Sequence, residues 1–368
     1  MSNVSIKIRV PATHRPQPAD GGAPPRIGRR PSQLPAGATA PSLNVGDLER
    51  RTLRHFQLGP AAFVAAAVVA ASFALPAYWS LLLALGMVWA LAALGLVILT
   101  GYVGQISLAQ AALLGLGAFL TATLAGNHGW PLPLAAVAAV AGAAVAGTVI
   151  GIPALRIRGL TLAIVTWGFA LFADRFVFRI RWLTGGQSGR DLAPPTYGPV
   201  DLADARVVLF TLAAVIVAVA VVTRNLLAGR TGQSWVALRD SEQGAQALGV
   251  DVARQKLTGF AIASAIAGLA GAFHALLVPY LSVNDYNQYV SVMVLAIAVI
   301  GGIDSLLGPL VGGLIYAAGP QVLKDLGVTL TGSRFDLIIG AVLVLIVVGS
   351  PKGVAGIIRS LSGSEGNR

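Results

Sequence analysis

The stretch Trp79-Ser-Leu-Leu-Leu-Ala-Leu-Gly-Met-Val-Trp-Ala-Leu-Ala-Ala-Leu-Gly-Leu-Val-Ile-Leu99 contains no charge, and none occurs anywhere between His55 and Leu155. A soluble core cannot use so much uninterrupted apolar chain, whereas a bilayer-spanning helix needs about 20 such residues. Across the whole chain 55% of residues are hydrophobic and 11% charged, against a charged share of about 25% in soluble domains. The sequence therefore predicts an all-α, polytopic transmembrane helical bundle. Further apolar runs fall at 61–76, 108–125, 132–150, 159–175, 206–222, 257–280, 288–303, 306–320 and 335–350, giving roughly ten spans, several of them short.

Residues 1–55 follow a different rule. Pro, Gly, Ala and Arg dominate without helical or strand period, which predicts a disordered tail. Its arginines, among them Arg26, Arg29, Arg30, Arg50, Arg51 and Arg54, hold it in the cytoplasm. An even number of crossings returns the segment after the last span, 356–368, to the same side, with 56–355 as the membrane domain. Arg175, Arg179, Arg181, Arg190 and Arg206 oppose this topology, since they bracket a loop it places outside. The net charge of +11 reflects arginines flanking apolar spans rather than a stripe interleaved with stacking aromatics, so no nucleic-acid partner is expected. The tail is expected to be passive, with anionic lipid headgroups of the membrane as the surface that could attract its arginines. The chain has no cysteine and only four histidines, none spaced as a metal-binding pair, so neither metal nor cofactor is expected.

Polar residues concentrate between Thr223 and Lys256. Within Arg239-Asp240-Ser241-Glu242-Gln243-Gly244-Ala245-Gln246-Ala247-Leu248-Gly249, Ser241 is a helix N-cap and Glu242 complements the helix dipole. Gly249 supplies the left-handed residue that ends the helix. So short a helix is marginal alone and needs a surface to pack against, as a segment docking into a partner's groove would have.

A second irregularity is Gly101-Tyr-Val-Gly-Gln-Ile-Ser-Leu-Ala-Gln110. Gly101 and Gly104 interrupt helix, and Gln105, Ser107 and Gln110 are polar at membrane depth. Non-helical backbone is tolerated there only inside protein or beside a watery path, so these residues either pack helices together or line a route. The joint Gly301-Gly-Ile-Asp304-Ser-Leu-Leu-Gly308-Pro309 is similar, with Asp304 placed to cap the next helix. No lysine follows a glycine to make a phosphate loop, and no nucleophile elbow is present.

In this order, these motifs resemble the LivM-type permease subunits of branched-chain amino-acid ABC importers, from about Leu81 to Gly356. The likeness rests on Gly101–Gln110, Pro153-Ala-Leu-Arg-Ile-Arg-Gly-Leu160, Thr184-Gly-Gly-Gln-Ser-Gly189, Ala237–Gly249, Lys256-Leu-Thr-Gly-Phe260, Gly301-Gly302 and Pro351-Lys-Gly353. Gln110 stands where members commonly have His, and Gly244 where they usually have Ala. The resemblance implies a multi-pass protein of the bacterial cytoplasmic (inner) membrane with both termini cytoplasmic. It also implies partners: a second, LivH-type permease, two ABC ATPase subunits, and a periplasmic or otherwise extracytoplasmic substrate-binding protein. The chain would then be no enzyme, since its ATPase partners carry out hydrolysis. Arg239, Asp240, Ser241, Glu242, Ala245, Leu248 and Gly249 would form the ATPase-coupling helix. Glu242 and Arg239 would lie at the groove rim and Ala245 and Leu248 inside the groove. Gly101, Gly104, Gln105, Ser107 and Gln110 would line the translocation pathway. Urea and short-chain amide permeases share much of this pattern. An ion-coupled secondary transporter is the alternative from another class, with Asp174, His274 and Asp304 as its candidate sites.

Overall fold

A computed structural model of the chain describes residues 58–74, 76–186, 189–192, 196–197, 200–202, 204–302, 305 and 307–325. The tails expected at 1–55 and 356–368, the last apolar run at 335–350, Asp304, and Gln187 with Ser188 lie outside these residues. All described residues belong to one contact unit, Val45–Arg368.

The chain is a helical membrane bundle. Its α-helices are α1 (Leu58–Ala74), α2 (Ala77–Val97), α3 (Gln110–Thr121), α4 (Leu132–Gly151), α5 (Leu160–Arg175) and α6 (Arg181–Thr184). They continue as α7 (Ala205–Ala228), α8 (Arg230–Asp240), α9 (Glu242–Ala247), α10 (Val252–Leu277), α11 (Gln288–Gly301) and α12 (Leu307–Asp325). Nine of the ten expected apolar runs thus contain a helix. Among the described residues five helical segments are long and apolar enough to cross a membrane. Caps set several starts: Asp204 accepts from the Arg206 amide at 2.9 Å, Asp251 from Arg254 at 3.0 Å, and Asn287 from Tyr289 at 2.9 Å, satisfying amides that have no partner within the helix.

Burial separates centre from periphery. In the spans built on α2 and α10, 72% and 78% of the apolar window is buried, against 33% for those on α4, α5 and α7. Small residues draw the central helices together, since without a hydrophobic drive inside lipid it is close packing that holds them. A Cβ on Gly117 of α3 would stand 2.6 Å from the Cα of Gly268 on α10, and one on Gly313 of α12 would stand 2.7 Å from the Ala90 amide of α2.

Two of the shorter helices, α3 and α11, adjoin glycine-rich joints. α2 ends in a π-helical turn, Ile98–Tyr102, the chain breaks, and α3 resumes deep in the bundle. There Gln110, 1% exposed, donates to the carbonyls of Ala92 and Ala263 at 3.1 and 3.4 Å. α11 has 14 residues, about 21 Å at 1.5 Å per residue, short of the ~30 Å hydrocarbon layer. It meets α12 where Gly301 lies against Gly308.

At the other end of the bundle, β1 (Arg190–Asp191) pairs antiparallel with β4 (Tyr280–Leu281), and β2 (Thr196–Tyr197) with β3 (Val200–Asp201). Arg190 is committed here: its guanidinium donates to the carbonyls of Leu183, Trp182 and Arg181.

Candidate functional site

The polar loop folds as two helices, not one. α8 is an 11-residue helix pinned by Trp235, which is fully buried and donates its indole N–H to the Gln255 carbonyl at 3.1 Å. Ser241, extended at φ −160° and ψ 115°, ends α8 and caps α9, accepting from the Gly244 amide at 3.0 Å. At the far end Val250 donates to Ala245 at 3.0 Å and Gly249 to Gln246 at 2.9 Å. This is a Schellman closure that requires the φ of +80° at Gly249. The predicted N-cap and C′ roles are both seen.

Glu242 departs from its expected place. It faces the bundle, with its side chain 9% exposed, paired to Arg158 and, at 2.7 Å, to the ammonium of Lys256. Lys256 is fully buried and donates also to the Ala154 carbonyl at 2.9 Å. A cation buried so completely needs both an anion and hydrogen bonds, and this triad supplies them. The carboxylate therefore seats α9 on α10 and on the 153–158 turn instead of lying at a rim. Ala245 departs as well. It is 1% exposed, covered by its own chain, so it is not an outward contact; three residues on, Leu248 is 81% exposed. Asp240, Gln243, Gln246 and Ala247 are also exposed.

The loop meets the helix break. The Arg239 guanidinium donates to the Gly101 carbonyl, and Gly104, at φ +75°, lies so close that its Cβ would stand 3.2 Å from the Arg239 Cα. Residues 103–105, 158–159 and 238–243 line an open, mainly polar cavity of about 440 Å³. Gly104 and Gln105 therefore reach this cavity, while Ser107 and Gln110 are buried beyond it. The Ser107 hydroxyl accepts from the Ala109 amide at 3.4 Å, and the first turn of α3 is held by Ser291, which accepts from the Ala111 amide at 3.0 Å. Just upstream, the Leu108 amide donates to Thr166 at 2.9 Å. In the chain taken alone, Ser107 and Gln110 do the work of packing. Arg158, Lys256 and Trp235 escaped assignment in the sequence. The available signal was Lys256, a cation opening an apolar run with no place in water.

Of the candidate ion-coupling residues, His274 and Asp174 have separate partners. His274 Nδ1 lies 2.8 Å from the Tyr286 hydroxyl, whereas Asp174 lies 3.6 Å from Arg175. Among the described residues no group of three or more His, Cys, Asp or Glu could hold a metal.

Two curated proteins are similar over most of the chain. They are the high-affinity branched-chain amino acid transport system permease proteins LivM of Escherichia coli (strain K12) and Salmonella typhimurium (strain LT2). Each is 29% identical over 296 residues, covering 73% of this chain and 68% of the relative. No solved structure matches significantly. The family model for the permease component of the branched-chain amino acid transport system matches residues 78–347, a region holding the helix break, the capped loop and the buried triad, so the chain belongs to that family of membrane permeases.

Proposed function

We propose that this chain is one of two permease subunits of a bacterial ABC importer for branched-chain, or similarly small apolar, amino acids. A LivH-type permease would be the other, with two ATPases below and an extracytoplasmic binding protein above. The end of the bundle bearing Arg156, Arg158, Arg224, Arg230, Arg239 and Arg254 is then the cytoplasmic one, as the bias of positive charge towards the cytoplasm favours. The chain itself carries out no chemistry; ATP hydrolysis belongs to the partners.

One observation carries the coupling assignment. α9 is a six-residue helix, far below the length at which a helix stands alone, yet it is capped at both ends and seated by a buried ion pair. Such a rigid mount presents Leu248 and the polar face around it to a partner's groove. Asp240 and Leu248 would touch the ATPase. Ser241, Glu242, Ala245 and Gly249 would hold the helix in shape, and Arg239 would reach inward. Gly101, Gly104, Gln105, Ser107 and Gln110 form the segment that changes when the pathway opens. Gly104 and Gln105 would meet the passing zwitterion, which needs only transient polar contacts, while Ser107 and Gln110 position α3.

The test is purification of the chain from its host in mild detergent with mass spectrometry of what accompanies it. A second permease and phosphate-loop ATPases are expected, followed by leucine uptake in preference to urea. A chain that emerges alone and transports in ATP-free liposomes under an ion gradient refutes the proposal.

A further inference from the structure

The helix break and the polar loop meet in space where Arg239 donates to the carbonyl of Gly101, 138 residues away along the chain. Gly101 belongs to the π-helical turn that ends α2, where carbonyls lack partners within the helix. A cationic donor at that end also complements the helix dipole. The contact extends beyond one hydrogen bond: the backbone at Gly104 touches Arg239, and Val103 lies against Gly259 of α10. From there the break runs directly into α3, whose entry is fixed by Thr166 and Ser291. Within the break, Gln105 is 5% exposed and lines the same polar cavity as Arg239.

We propose that Arg239 is a positioning residue that yokes the loop to the break, so that displacement of 223–256 carries Gly101–Gln105 with it and resets the start of α3. This rests on the coupling role assigned to the loop. The experiment uses the complete complex of both permeases, ATPases and binding protein in proteoliposomes, measuring uptake and ATP hydrolysis together. Arg239→Gln is expected to lower uptake about tenfold or more at unchanged hydrolysis, as loss of a charge-assisted hydrogen bond predicts; Arg239→Lys should fall between. A covalent substitute is available because the chain has no native cysteine and a Cβ at Gly104 would lie 3.2 Å from that of Arg239, close to disulfide spacing. The pair Gly104→Cys/Arg239→Cys should be uncoupled when reduced and regain coupling when oxidised. Gly104→Cys alone, which controls for strain at positive φ, should show no redox response.

Proportional loss of uptake and hydrolysis in the Arg239 variants, or oxidation that fails to restore coupling, overturns the yoke. A Leu248→Asp variant separates this from failure of the coupling role itself. If that variant keeps its ATPases and its uptake, the coupling role is wrong. If it loses them while Arg239→Gln remains coupled, only the yoke is wrong.

Discussion

Neutralising Glu242 tests what seats the short helix. Glu242→Gln leaves the ammonium of Lys256, fully buried, with the Ala154 carbonyl but no anion. Removing one partner of a buried pair costs about 3–5 kcal/mol; the surviving carbonyl contact places this case near 3 kcal/mol. Arg158→Ala deletes the other ion pair, but the arginine side chain is 59% exposed, so about 0–1 kcal/mol is expected. Lys256→Met removes the buried charge and keeps an apolar stem, leaving Glu242 with Arg158, and should cost about 1 kcal/mol. The double variant Glu242→Gln/Lys256→Met should approach neutrality, because it leaves no uncompensated charge buried. Hydrogen exchange of the 242–250 amides reads the local opening directly, and a change near 3 kcal/mol is more than about a hundredfold in the opening equilibrium. If the double variant exchanges as fast as the two single effects summed, the ion pair does not seat α9 and the reasoning fails.

Gly117→Ala should strongly reduce the yield of folded monomer in detergent, because the new methyl meets the Gly268 backbone rather than a movable side chain; overpacking of this kind costs about 1–3 kcal/mol or more. Gly168→Ala has open space around it and should raise the melting temperature of the isolated subunit by removing a helix-interior glycine, a gain of about 0.5–1 kcal/mol. Leu248→Asp should leave the bundle's melting temperature unchanged, since the residue is 81% exposed, and should abolish co-purification of the ATPases. Burial holds the Asp285 carboxyl above its ordinary value, partly opposed by its bond from the Ser282 amide. The ionised form is thus disfavoured at neutral pH, and the difference vanishes below the ordinary carboxylate range, where folded and unfolded forms are both protonated. Asp285→Asn, which retains an acceptor for Ser282, should therefore be mildly stabilising in neutral melts, with the gain absent near pH 3.

The apolar runs were legible because every backbone polar group must be satisfied within lipid, so composition alone imposes helix. Local signals carried as far as local physics does. Ser241 and Gly249 act within four residues of themselves, and both sit where their side-chain chemistry directs. The sequence did not disclose that the 108–125 run begins as helix only at Gln110, because what permits that start is Ala92, Ala263, Thr166 and Ser291 on other helices. It also missed α8, whose buried face is only Gly232, Trp235 and Leu238 within a polar stretch and which is held by the Trp235 indole on the Gln255 carbonyl.

The direction in which Glu242 faces marks the boundary between the two kinds of information. Spacing placed it in the first turn of a helix, where a carboxylate is favoured whether it faces water or protein. Only the fold, by burying Lys256 beside Ala154 and bringing Arg158 across, supplied the unbalanced positive charge that turns it inward. Sequence alone determined the membrane class, the helical runs and the caps, because each depends on neighbours a few residues away. Tertiary structure alone decided which charges are paired, which glycines must remain glycine, and that the loop touches the helix break. Those outcomes depend on partners brought together from distant parts of the chain.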